Sequence, residues 1–153
     1  MKIRASFVSN SSSSSFVVKF ERFQLSKEYL KLLMDLPESL LWFETAVSSD
    51  SIVDRVWEDL QNQLDNQNAI DEYGVREIQV AKRLLIEGVN IVEFDYLTRL
   101  AERRIMRMRL SRNKSSETFW AWFSYSDNNG TLETVMEHAN IFGSLPHVTF
   151  GHH

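Results

Sequence analysis

The spacing of apolar residues changes period twice along this chain, and that switch restricts its architecture more than any other feature. In KIRASFV (Lys2 to Val8) apolar Ile3, Ala5 and Phe7 alternate with Lys2, Arg4 and Ser6, the two-residue repeat of a half-buried strand. FVVKF (Phe16 to Phe20) is aromatic and β-branched and reads as a second strand. From Ser26 the repeat lengthens to that of helices. Beyond Glu117 it returns to β in TFWAWFSY. The expected class is α+β, with an N-terminal β-hairpin, three to four central amphipathic helices and C-terminal antiparallel strands.

Ser26 is placed to cap KEYLKLLMDL, in which Tyr29, Leu30, Leu33 and Met34 recur at helical spacing before Pro37 stops the run. Asp50 or Ser51 is expected to cap IVDRVWEDLQNQL. There Ile52, Val56, Leu60 and Leu64 form a stripe that Val53 and Trp57 widen. A third helix is expected from about Asp71 to Glu87 through Val75, Ile78, Ala81 and Leu85, with Gly88 as its stop. VNIVEF reads as a short strand or an entry segment. DYLTRLAERRIMRMRL places Leu97, Leu100, Ala101, Ile105 and Met108 on one helical face, although its tail also alternates like a strand. SDNNG carries an Asn-Gly turn signal, TLETVMEHA is expected to return as the partner strand, and HVTF reads as one more. Neither a repeat nor a linker divides residues 1–153, so one domain is expected. At 153 residues it is long enough to bury about two-thirds of its unfolded surface.

Five serines, Ser11 to Ser15, separate the first two strand-like segments. Serine bonds readily to nearby backbone and has little to bury, so the run is expected to be the loop of the hairpin. As a phosphorylation substrate it would place negative charge beside Lys2, Arg4 and Lys19. The chain has no cysteine, which excludes disulfides, thiolate metal sites and cysteine nucleophiles. No apolar run approaches the roughly 20 residues that span a bilayer, and no secretory signal is recognisable, so a cytoplasmic protein without membrane contact is expected. The terminal GHH resembles the start of a purification tag, and His152 and His153 are assigned no role.

The net charge of −4 conceals a segregation. Residues 35–77 hold eleven acids against Arg55 and Arg76, whereas residues 99–114 hold seven bases against Glu102. On a helix Arg99, Arg103 and Arg107 share one face. They would suit phosphates, with Trp120, Trp122 and Tyr125 available to stack on single-stranded bases. The competing explanation pairs the basic helix with the chain's own acids and puts the tryptophans in the sheet core, since Trp120 and Trp122 lie on one face of a strand. Asp50, Asp54, Glu58, Asp59 and Asp65 form an anionic helix face, suited to a basic partner or simply to solvent.

Catalytic signals are absent: the sequence contains no nucleophile elbow, phosphate-binding glycine loop or zinc-protease motif. His138 and His147 with Asp127 are of metal-ligand type, but their spacing does not require an ion. No cofactor is expected.

KIRASFVSNSSSSSFVV resembles an N-terminal signature, roughly FVSNSSSSSF, shared by small proteins of bacteriophages and bacteria that have no common activity. The resemblance covers Lys2 to Val18. It implies a phage or phage-like bacterial origin, and carries no functional residue with it. The expected function is therefore non-enzymatic: a phage-encoded accessory protein that binds and modulates a host protein such as an ATP-dependent protease, nuclease or polymerase. Nucleic-acid binding by residues 99–114 is the alternative. Trp and Arg dominate binding hot spots, so Trp42, Trp57, Arg99, Arg103 and Arg107 are the expected contact residues. An open β edge or the apolar C-terminal strand would support a homodimer.

Overall fold

A computed structural model of the protein describes residues 13–42, 44–85, 91–95 and 118–152. Its elements in chain order are β1 (Ser13–Glu21), α1 (Lys27–Met34), β2 (Ser39–Trp42), β3 (Thr45–Ser48), α2 (Ser49–Asp65), α3 (Glu72–Leu84), β4 (Ile91–Asp95), β5 (Thr118–Ser126), α4 (Thr131–His138) and β6 (His147–His152). The fold is α+β. A mixed sheet runs in the order β4-β6-β1-β5, with β1 antiparallel to both its neighbours and β4 parallel to β6. β2 and β3 form a separate antiparallel hairpin.

β1 is central and is covered on both faces, which its unbroken apolar run from Phe16 to Val18 anticipates. Phe16, Val18 and Phe20 enter the larger core, together with Leu30 and Met34 of α1, Ile52, Val56 and Leu60 of α2, Phe123 and Tyr125 of β5, and Val135 and Met136 of α4. Val17 turns the other way, to a smaller core built with Val148 and Phe150 of β6 and Val80 and Ala81 of α3. Each buried Val, Leu, Ile, Phe or Met side chain contributes roughly 1.5–3 kcal/mol. A one-residue slip would carry Phe16, Val18 and Phe20 to the α3 face and bring Lys19 into the larger core, so the register of Phe16 opposite Phe123 is strongly specified.

α3 comes close to β5 because Gly74 lies at the contact. A Cβ on Gly74 would fall 2.7 Å from both Ile70 Cγ2 and the Trp122 ring, well inside van der Waals distance. The smaller core is completed by a buried polar contact. Glu77 Oε1 accepts from Ser15 Oγ at 2.5 Å and from Trp122 Nε1 at 2.7 Å, and Glu77 is only 1% exposed.

Several expectations are corrected. Ser13 to Ser15 are not loop but the first residues of β1, paired with β5 on one side and β6 on the other. Burial there is tolerated because Ser15 donates to Glu77. TLETVMEH forms helix α4, not a strand, and SDNNG leads into that helix through a 3-10 turn, Asp127–Asn129, rather than closing a hairpin. Gly130, at φ 104, starts α4, and Val135 and Met136 then meet the core. β5 and β6 are antiparallel to β1 but are not each other's partners. β6 is an interior strand, so the C-terminal strand offers no edge to a second copy. The α2 cap is Ser48, whose Oγ accepts from Ser51 N–H, two to three residues before the expected one.

The buried line of α3 is Gly74, Glu77, Val80 and Ala81. Val75, expected on that face, is 45% exposed. The helix runs to Leu84. The hairpin of β2 and β3 was not legible in the pattern. The first expected strand (residues 2–8), Gly88, and the basic segment 99–114 with Arg99, Arg103 and Arg107 lie outside the described residues.

Candidate functional site

α1 is short and carries apolar side chains on two opposite faces. Ser26 caps it, its Oγ accepting from Tyr29 N–H at 3.2 Å, and Asp35 in the left-handed conformation (φ 44) ends it before Pro37. Leu30 and Met34, one turn apart, are buried in the larger core. Tyr29 and Leu32 point away from it, and Phe23 of the preceding 3-10 turn joins them. Its ring meets that of Tyr29 edge to face at 5.9 Å. Leu32 is 71% exposed and Phe23 68%. Between α1 and α2 lies a groove of about 370 Å³ lined by Leu32, Leu36, Val53, Glu28, Lys31 and Asp35. Lys27 and Lys31 bridge to Asp54 and Asp50 at its rim, at 2.5 and 3.2 Å. These pairs are exposed and add little stability, but they hold α1 against α2 and set charge around an apolar centre. The result is an apolar middle within a charged rim.

A second concavity, of about 230 Å³, lies where α2 meets the edge strand β5 and has both polar and apolar walls. Gln63 bonds to the edge strand like a neighbouring strand: its Nε2 donates to the Trp122 carbonyl at 2.6 Å and its Oε1 accepts from Trp122 N–H at 2.8 Å. Arg55 bridges Asp59 at 3.3 Å and Glu133 at 2.8 Å, and Tyr125 Oη donates to Asp59 at 2.9 Å. Burial raises the Asp59 carboxyl above its usual range, with Tyr125 and Arg55 opposing. Burial and the adjacent Asp59 push the Tyr125 phenol well above its usual value. The Arg55 guanidinium is opposed by burial, yet its bond to Glu133 and the Asp59 charge hold it above its usual value. Each charged group here is answered by a neighbour, so the network closes an open sheet edge and fastens α4 to α2.

The aromatic residues proposed for base stacking are differently disposed. Tyr125 is buried and offers no face to a base. Trp122 is half-buried with its indole N–H committed to Glu77. Trp120 packs against the smaller core, with the Lys19 and Lys82 ammonium groups 5.9 and 5.8 Å from its ring centre. Of the expected contact residues, Trp57 is half-buried against the larger core and Trp42 is the last residue of β2. The exposed trio Phe23, Tyr29 and Leu32 was missed. The available signal was that α1 has apolar residues on both faces, whereas docking on a core requires only one.

His138 and His147 do not come together as a pair of ligands. His147 is buried at the start of β6, where its Nδ1–H donates to the Leu145 carbonyl at 2.6 Å and its ring lies 5.9 Å from that of Phe142. Burial lowers its basicity below the ordinary value of 6.5, with the Leu145 bond and Glu93 opposing. The folded state therefore binds a proton here less readily than the unfolded chain. Stability linked to the neutral ring is complete above about pH 6.5 and declines as pH falls through the lower folded-state value. Urea melts across pH 5 to 7 should show this decline, and His147→Gln should remove it. An equal slope in the variant would assign the effect elsewhere. Among the described residues no helix is long and apolar enough to cross a membrane.

No protein-family model matches the chain, and neither a curated protein nor a solved structure matches it.

Proposed function

We propose that the protein acts by binding another protein rather than by catalysis, through the surface of Phe23, Tyr29 and Leu32 and the adjoining groove between α1 and α2. The observation that carries this reading is the grouping of Phe23, Tyr29 and Leu32, exposed at 68%, 42% and 71%, on α1 and the turn before it, whereas the other exposed large apolar side chains among the described residues, Leu41, Tyr73, Val75 and Ile91, are spread over β2, α3 and β4. Contiguous exposed apolar side chains within a charged rim mark interaction sites. In its fuller form the reading is a phage-encoded accessory protein that modulates a host protein. The phage setting is supported by the resemblance of residues 2–18, and the groove supports only the mode of action.

The test is capture of partners from host lysate by the intact protein and by a Phe23→Ser/Leu32→Ser variant. Both positions are solvent-facing, so the variant should keep its thermal midpoint. A stoichiometric protein that survives nuclease treatment and moderate salt should be retained by the wild type and lost by the variant, with affinity falling at least 30-fold. Hot-spot truncations of about 2 kcal/mol or more justify that size. Equal capture by both proteins would exclude this surface. Capture abolished by nuclease would favour nucleic-acid binding through residues 99–114 instead.

A further inference from the structure

The turn before α4 and the end of that helix bring together three side chains of metal-ligand type. Asp127 opens the 3-10 turn that follows β5, and Glu137 and His138 are the last two residues of α4. One ligand atom from each lies within 4.8 Å of the other two, and His138 Nε2 is 3.5 Å from Glu137 Oε2. The Glu137 side chain is fully buried, whereas that of His138 is 23% exposed. Asp127 Oδ1 and Glu137 Oε1 are both shut off from solvent.

We propose that Asp127, Glu137 and His138 form a binding site for a divalent transition cation of the Zn²⁺ or Mn²⁺ class. Glu137 lies on the buried side of the cluster and Asp127 on its more exposed side, and a cation between two neighbouring carboxylates relieves their repulsion. A divalent ion supplies two positive charges and takes the imidazole of His138 as a ligand. Bonds of about 2.1 Å to a tetrahedral ion set neighbouring donors roughly 3.4 Å apart. The His138–Glu137 separation of 3.5 Å already meets that value, and Asp127, within 4.8 Å of both, needs to move in by at most about 1.4 Å. Imidazole among the donors selects borderline cations over Mg²⁺ and Ca²⁺, which prefer oxygen-only shells. Three protein ligands leave a fourth position for water or for a side chain of a partner. Bound there, the ion ties the end of β5 to the end of α4.

The full-length chain with His152→Ala and His153→Ala, which removes the terminal imidazoles, should be titrated calorimetrically with Zn²⁺, Mn²⁺ and Mg²⁺ separately. One equivalent of Zn²⁺ or Mn²⁺ is expected to bind, at least tenfold more tightly than Mg²⁺. His138→Gln and Glu137→Gln in that background should each weaken binding at least tenfold. Circular dichroism of each variant establishes that it is folded. Should Glu137→Gln fail to fold, His138→Gln, at a partly exposed position, decides the matter. Absence of saturable binding, equal affinity for Mg²⁺, or unchanged binding in His138→Gln would overturn the site.

Discussion

Glu77→Ala is expected to destabilise the protein by about 3–5 kcal/mol, the largest loss anticipated from a single polar position. The side chain lies between α3 and the sheet at 1% exposure, and its Oε1 alone accepts from Ser15 and from the Trp122 indole. Alanine would leave a buried hydroxyl and a half-buried indole N–H without that acceptor, and would open a cavity beneath α3. The two effects have separate signatures. Glu77→Gln keeps an oxygen of similar position that can accept both bonds, so it should cost only about 1 kcal/mol. Glu77→Met fills most of the volume but accepts nothing, so it should fall near the alanine value if the hydrogen bonds dominate. Urea melts of the three variants, compared at equal m-value, would decide. A Gln variant as unstable as Ala would show that volume and bonding at Oε1 are not what this position supplies.

Glu133→Ala is expected to cost about 3 kcal/mol by a different route. Glu133 is 6% exposed, and it accepts from Arg55 Nη2 at 2.8 Å, from Ser126 N–H at 3.1 Å and from Asn129 Nδ2 at 3.2 Å. It therefore joins α4 to α2 and also fixes the turn that leads out of β5. Its removal leaves a half-buried guanidinium short of a carboxylate and a strand-end amide short of an acceptor. Arg55 retains Asp59, which limits the loss. A double-mutant cycle of Arg55→Ala with Glu133→Ala should give a coupling of about 1 kcal/mol or more, because the pair is largely shielded from water. Additive effects would mean that Glu133 acts mainly through the turn. Amide exchange at Ser126 would then be the faster-changing observable.

The helical stripes were legible because each serves a single face. Ile52, Val56 and Leu60 recur every four residues, and α2 buries them as that spacing requires. The strand character of Phe16 to Phe20 and of Thr118 to Tyr125 was legible from apolar and aromatic density alone. α4 was misread because eight residues with Leu132, Thr134 and Met136 in alternation satisfy a two-residue period while Leu132, Val135 and Met136 satisfy a helical one. In α3 the apolar positions pointed to Val75, but the buried line runs through Gly74 and Glu77. A small residue and an acid look like an exposed face until their partners are known.

The serine run shows where the division falls. Its position beside an apolar segment is local information, and so is its inability to fill a core. That Ser15 belongs inside a strand depends on Glu77, 62 residues away, and on strands β5 and β6 that arrive only at the end of the chain. The same holds for the exposed apolar patch on α1. The sequence determined that α1 is a helix with apolar residues on two faces. Only the packing of α1 against α2 and the larger core decided that Leu30 and Met34 would be enclosed while Phe23, Tyr29 and Leu32 stayed outside. Local periods are set by neighbours along the chain and can be read from it. Which face meets a partner is set by contacts distant in sequence, and these exist only once the chain has folded.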